Sequence, residues 1–144
     1  EEVPIIFRRP IAWVNMVPFV FLKTSRAQFI GITKHHFSLQ RERELTLREI
    51  FTHGAGFYTR TSNYESEGIQ LIENTSEEIR DVVVEIIERL RGTWQPQEDD
   101  EALQQRFWEI YPTDAEMPAG KSLHGEIRSR YGASFLRNNR DWLQ

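Results

Sequence analysis

Residues 68–92 read GIQLIENTSEEIRDVVVEIIERLRG, a short apolar run followed by the clearest helix pattern in the chain. Thr75 and Glu78 form a capping box, because each side chain can accept a hydrogen bond from the backbone amide of the other. Apolar residues then recur at helical spacing until a glycine supplies a left-handed stop. The pattern predicts a strand over Gly68–Ile72 and a helix over Ser76–Arg91. The helix is expected to bury one apolar face, consisting of Ile79, Val82, Val83, Ile86 and Leu90.

Another apolar stretch, near the amino end, predicts a buried strand. Ile11–Asn15 is short, β-branched and aromatic, and prolines flank it at positions 10 and 18. A short helix is predicted before it over Val3–Phe7, and a third strand over Phe29–Ile32. Asn15 therefore ends a strand, and open parallel sheets bind their ligands beyond the carboxyl ends of strands.

The other helix predictions lie after position 45. Thr46 and Glu49 form a second capping box, which predicts a helix over Leu47–His53 that Gly54 ends. Further helices are predicted over Asp100–Tyr111, over Ser122–Arg130 and from Ala133 toward the end of the chain. Residues 23–45 are expected to be irregular apart from the third strand.

The order of these elements predicts an α/β fold. It would be a partial Rossmann-like layer with a small parallel sheet and several carboxyl-terminal helices, forming one domain over residues 1–144. A sheet of two or three strands has exposed edges, so further strands are expected to be missing or to come from another chain.

The composition excludes several classes of function. The chain has 144 residues, a net charge of −4 and no cysteine. The negative charge argues against a nucleic-acid partner, because such partners require a basic surface. The lack of cysteine removes disulfides, thiolate metal ligands and cysteine nucleophiles, which fits a cytoplasmic localisation. No apolar run reaches the roughly 20 residues of a membrane-spanning helix, so any membrane association is expected to be peripheral.

Four segments carry a resemblance to a known family. They are Leu45–Ile50 with Gly54–Gly56, then Gly68–Ile79, Glu88–Trp94 and Tyr131–Asn139. Together they resemble the carboxyl-terminal region of a family of bacterial surface-polysaccharide glycosyltransferases. The resemblance covers nearly the whole chain and is firmest from Leu45 onward.

The resemblance implies a glycosyltransferase-B architecture, in which two Rossmann-like halves enclose a cleft and the carboxyl-terminal half holds a nucleotide-sugar donor. Family members are usually much longer than this chain. The acceptor side is therefore expected in a missing amino-terminal half or a partner chain, and this chain alone is expected to be inactive. The resemblance implies no metal and no cofactor, since the nucleotide-sugar is the substrate.

The candidate donor-binding residues come partly from this resemblance. Related enzymes place an acidic residue, after a glycine- and serine-rich turn, just before a strand like Ile11–Asn15; here the acids are present and the turn is absent. The candidates are Glu1, Glu2, Asn15, Pro18, His53, Gly54, Ala55 and Gly56.

Each candidate also has a purely structural interpretation. Glu1 and Glu2 are then solvated charges at a frayed terminus, and Asn15 with Pro18 is a strand end followed by a turn. The glycines at 54 and 56 either bring backbone amides close to a phosphate or only stop a helix. His53 either contacts a donor phosphate or stabilises the carboxyl end of that helix.

Other polar residues give weaker signals. The histidines at 35, 36, 53 and 124 lack the helical spacing of a metal site. Lys23, Arg26 and Lys34 are either partners of a diphosphate leaving group or ordinary surface charges. No catalytic residue can be assigned, because no serine–histidine–acid arrangement is recognisable.

Two classes of function therefore stay open. The first is sugar transfer from a nucleoside diphosphate to a polysaccharide acceptor, with a nucleotide-sugar epimerase as the related enzymatic alternative. The second is a non-catalytic interaction domain derived from the same fold. Its contact surface would be an exposed apolar edge within residues 3–21.

Overall fold

The computed structural model describes residues 2–112 and 127–144. Its helices are α1 Glu2–Ile6, α2 Leu47–Thr52, α3 Thr61–Ser66, α4 Ser76–Arg91, α5 Asp100–Ile110 and α6 Ala133–Asn138. Its strands are β1 Ile11–Met16, β2 Phe29–Thr33, β3 His35–Ser38, β4 Arg43–Glu44, β5 Ile69–Ile72 and β6 Arg130–Tyr131. Three short 3-10 turns cover Phe19–Phe21, Ala55–Phe57 and Arg140–Leu143.

A small parallel sheet forms the centre of the fold. β2 pairs with β1 on one side and with β6 on the other, in parallel in both cases. Every residue of β2 is buried, whereas β1 lies at an edge and is only half-buried along most of its length. The prediction of an α/β protein with a small parallel sheet and several helices is thus confirmed.

A second sheet has no counterpart in the sequence predictions. β3 pairs antiparallel with both β4 and β5. The expectation of an irregular segment over residues 23–45 is therefore wrong, and so is the expectation of parallel pairing for the strand at Gly68–Ile72. A single residue separates β2 from β3. The sequence of β3, two histidines followed by Phe37 and Ser38, lacks the apolar pattern of a buried strand.

Local helix signals gave accurate predictions. In α4, the Thr75 hydroxyl accepts from the Glu78 amide at 3.2 Å, and the Glu78 carboxylate accepts from the Thr75 amide at 2.8 Å. Gly92 ends this helix with φ of 69°. The second capping box, at Thr46 and Glu49, is likewise present at the start of α2.

The predicted helix over Ser122–Arg130 is wrong where it can be checked. Residues 122–126 lie outside the described part of the chain, residues 127–129 have no regular structure, and residue 130 begins β6. The amide of Gly132 donates to the Gly31 carbonyl at 3.0 Å, so this part of the chain is used to complete the parallel sheet.

α4 covers the parallel sheet and leaves an apolar flank exposed. Val82 and Ile86 are buried, but Val83 and Leu90, both expected in the core, are 40% and 49% exposed. Glu85 faces α6, because its carboxylate accepts from the Ala133 amide at 2.8 Å. The exposed flank, Val83, Ile87 and Leu90, therefore lies on the opposite side of the helix, toward the free edge of β1.

Candidate functional site

A reciprocal asparagine pair links β1 to the start of α4. The Asn74 side-chain oxygen accepts from the Asn15 amide at 2.7 Å, and the Asn15 side-chain oxygen accepts from the Asn74 amide at 2.6 Å. Asn74 also donates to the Thr33 carbonyl at 2.8 Å. Asn15 adopts a left-handed conformation with φ of 54°. The side chain of this candidate thus ties the carboxyl end of β1 to residue 74, and the Asn74 side chain extends the link to the end of β2.

Asn15 also lines a shallow hollow of about 260 Å³ beside the free edge of β1. Trp13 and Phe21 supply aromatic surface there. Pro18 follows a cis peptide bond and is buried, so it is not exposed to a ligand.

The glycine segment after α2 is explained by packing. Gly54 ends the helix with φ of 79°. Ala55 and Gly56 are buried, and a Cβ atom at Gly56 would lie 2.5 Å from the Phe51 ring. His53 is exposed and its carbonyl accepts from the Tyr58 hydroxyl at 3.0 Å. None of these residues lines the hollow described at Asn15.

Only one of the two acidic candidates can be placed, and it does not lie at the carboxyl end of the sheet. Glu1 lies outside the described residues, and Glu2 begins α1. Ile5 of α1 lines a hollow with Phe29, the first residue of β2. The structure therefore places Glu2 toward the amino ends of the strands, whereas Asn15 is at their carboxyl ends.

A hollow of about 750 Å³ lies between the β4 segment and α6 with the turn that follows it. We call it the arginine groove. Its walls carry three guanidinium groups, three side-chain amides and two carboxylates, contributed by Arg43, Arg137, Arg140, Asn138, Asn139, Gln144, Glu44 and Asp141.

Each arginine of the groove is held by a carboxylate. Arg137 donates to Asp100 at 2.5 Å and to the Ser134 hydroxyl at 2.9 Å. Arg43 donates twice to Glu49, at 2.7 and 2.9 Å, and Arg140 pairs with Asp99. A guanidinium has five N–H donors, so these contacts fix its position and leave further donors for an anion.

The groove lies on the carboxyl side of the parallel sheet. α6 follows β6 after a single residue, and its last turn lines the groove. Glu44 in the groove wall is bonded to His35, which comes two residues after the end of β2. Ligands of open parallel sheets bind on this side.

His35 of β3 contacts carboxylates of two other elements, one of which lines the groove. Its Nδ1 lies 3.2 Å from Glu44 of β4, and its Nε2 lies 3.0 Å from Glu78 in the first turn of α4. Hydrogen bonding to Glu44, together with the contact to Glu78, outweighs burial and raises the pKa of His35 to about 9. The neighbouring His36 is buried, which lowers its pKa to about 4.

The charge of His35 predicts a pH dependence of stability. The pKa is higher in the folded chain than in the unfolded chain, where it is near 6.5. The stabilisation is therefore complete below pH 6.5 and is lost as the pH rises toward 9. We expect urea unfolding at pH 6.5, 8 and 9.5 to show a falling free energy of unfolding. A His35→Gln variant should lack most of this fall, and an equal fall in both proteins would contradict the assignment.

Other sequence candidates are dispersed. Lys34 pairs with Glu73 at 3.3 Å, and Arg26 lines a hollow at the amino ends of the strands. Among the described residues, no group of three or more histidine, aspartate or glutamate side chains is arranged to hold a metal ion. Across that part of the chain, the helices are too short or too polar to cross a membrane.

Comparisons with protein families, curated proteins and solved structures find no match to this chain. The site must therefore be judged on its own residues. Sequence reasoning missed all three groove arginines. Arg137 alone had a sequence signal, because it falls in the fourth segment of the family resemblance. No sequence pattern indicates that Arg137 and Arg43 lie in the same site.

Proposed function

We propose that this chain is the nucleotide-sugar donor-binding part of a glycosyltransferase acting in surface-polysaccharide synthesis. Its parallel sheet would then be part of a Rossmann-like, donor-side domain of the glycosyltransferase-B type. A second domain, in the same polypeptide or in a partner chain, would bind the acceptor and supply the general base.

The arginine groove is the observation that carries this proposal. Its volume of about 750 Å³ suits a nucleotide-sugar, since small-molecule sites span roughly 300–1,000 Å³. Its anchored guanidiniums suit the two phosphates of the donor, because arginine binds phosphate through parallel hydrogen bonds.

The groove also offers groups for the rest of the donor. The carboxylates of Glu44 and Asp141 and the amide of Asn138 are suited to the hydroxyl groups of ribose and sugar. During transfer, negative charge accumulates on the departing nucleoside diphosphate, and fixed cationic donors stabilise that charge. The donor half of a transferase would perform this step.

Nucleotide binding to the present chain tests the proposal without requiring catalysis. Isothermal titration with uridine, guanosine and thymidine diphosphates should show binding of at least one of them. Arg140→Gln and Arg43→Gln should each weaken it by about tenfold or more, because a hydrogen bond to a charged group contributes about 1.5–3 kcal/mol.

Arg41 supplies a matched control for the Arg43 variant. Both arginines pair with Glu49, but Arg41 does not line the groove. Arg41→Gln should therefore leave nucleotide affinity unchanged. The proposal fails if no diphosphate binds at millimolar concentration, or if the Arg41 and Arg43 variants lose equal affinity.

A second candidate function is a non-catalytic interaction domain. The unpaired edge of β1 and the exposed flank of α4, formed by Val83, Ile87 and Leu90, favour it. Exposed apolar surface beside a free strand edge is typical of a protein contact. Self-association that Ile87→Glu abolishes, in a chain that binds no nucleotide, would support this function over donor binding.

A further inference from the structure

One end of the molecule exposes several large apolar side chains close together. In α1, Val3 and Ile6 are 62% and 72% exposed, and Phe7, the residue after the helix, is 67% exposed. The other short helices, α2, α3 and α6, expose no large apolar side chain. Burying these three side chains would be favourable if a partner offered an apolar phase.

Exposed cationic side chains lie directly beside them. Arg8 and Arg9 follow Phe7 in the chain, and Arg26 joins them in lining a hollow of about 250 Å³. The backbone of this turn is fixed, since the amides of Arg8 and Arg9 donate to the carbonyls of Ile5 and Pro4 at 3.0 and 2.8 Å. We call Val3, Ile6, Phe7, Arg8, Arg9 and Arg26 together the amino-end patch.

These arginines differ from those of the groove in one respect. Each groove arginine is paired with a carboxylate, whereas no carboxylate among residues 3–112 and 127–144 lies within ion-pair distance of Arg8, Arg9 or Arg26. The acids nearest in sequence are Glu1, outside the described residues, and Glu2 at the start of α1. The patch is thus a local cationic surface on a chain of net charge −4.

We propose that the amino-end patch binds the surface of a membrane containing anionic lipids. Apolar side chains that insert at the level of the headgroups, next to arginines that contact lipid phosphates, are the combination that holds proteins at such surfaces. The patch lies at the amino ends of the parallel strands, so the groove on their carboxyl side would stay accessible while the chain is bound.

Sedimentation with lipid vesicles tests this proposal. The chain should pellet with vesicles of phosphatidylcholine containing 30% phosphatidylglycerol in 50 mM salt, and much less in 500 mM salt, because salt screens the attraction. Vesicles of phosphatidylcholine alone should bind it weakly. Ten millimolar inorganic phosphate at constant ionic strength should not release it, because the apolar contacts require a lipid surface.

Charge and apolar contributions are separated by variants. Arg8→Glu with Arg9→Glu should lower the partition coefficient on anionic vesicles by about thirtyfold or more. Phe7→Ser should also lower it, with the salt dependence retained. The matched control is Arg48→Glu with Arg60→Glu, which changes the net charge equally at exposed positions elsewhere, and it should bind nearly as wild type.

Three outcomes would overturn the proposal. One is absence of binding to anionic vesicles at low salt, which would point to a protein partner for the patch. Another is equal binding to neutral and anionic vesicles. The last is an equal loss in the control variant, which would show an effect of net charge alone. Urea unfolding of each variant checks that the fold is retained.

Discussion

An Asp100→Ala variant is expected to lose about 3–5 kcal/mol of unfolding free energy, since removing one partner of a buried ion pair leaves the other charge uncompensated. The Asp100 side chain is completely buried, and that of Arg137 is only 15% exposed. Asp100 also accepts from the Gln97 amide at 2.9 Å, a bond that steadies the start of α5. Urea unfolding monitored by tryptophan fluorescence measures the loss.

Two further variants show whether the stability lost in Asp100→Ala comes from the broken ion pair. Asp99→Ala removes the neighbouring carboxylate, whose partner Arg140 is 57% exposed, and should cost less than about 1 kcal/mol. Asp100→Leu combined with Arg137→Leu removes both charges and should recover much of the stability. This double variant should nevertheless bind nucleotide more weakly, because it lacks the Arg137 guanidinium of the groove. If the double variant is no more stable than Asp100→Ala, the loss of unfolding free energy at this position comes from lost packing and not from an uncompensated charge.

Replacing Asn74 by alanine should cost about 2–4 kcal/mol, because buried polar groups left without partners cost about 1–3 kcal/mol each. Asn74 is 6% exposed, and its side chain satisfies both the Asn15 amide and the Thr33 carbonyl. Without it, the end of β2 loses its direct link to the start of α4, and β1 keeps only the bond between the Asn15 side chain and the backbone amide at position 74. The midpoint of urea unfolding reports this change.

The control for this variant is Asn63→Ala, at an exposed position in α3. It removes the same side chain from a solvated site and should change stability by less than about 0.5 kcal/mol. Similar losses at positions 63 and 74 would be evidence against the proposed role of the asparagine pair.

Elements defined by neighbouring residues could be predicted from the sequence. The bounds of α4 follow from a capping box at its start and a glycine at its end, both within one turn of the helix. The β1 strand was likewise evident, because Ile11–Val14 is apolar and flanked by prolines. In each case the determining contacts are local.

Features that depend on distant contacts could not be predicted. β3 contains His36, which is buried although it is polar, and its strand partners come from β4 and β5. Gly54–Gly56 suits a phosphate loop as well as a packed turn, and only the position of the Phe51 ring against Gly56 favours packing. Arg43 and Arg137 both line the groove, but their separation in the sequence matches no motif that would predict a shared site.

The pairing of β6 with β2 has a consequence for synthesis of the chain. The Tyr131 hydroxyl lies 2.9 Å from the Thr33 amide and 2.7 Å from the Thr33 hydroxyl, across 98 positions of sequence. On the ribosome, β1 and β2 emerge long before the strand that closes their sheet. The nascent chain must therefore hold an incomplete, apolar sheet until residue 131 has left the exit tunnel, and that interval is when it would most need a chaperone.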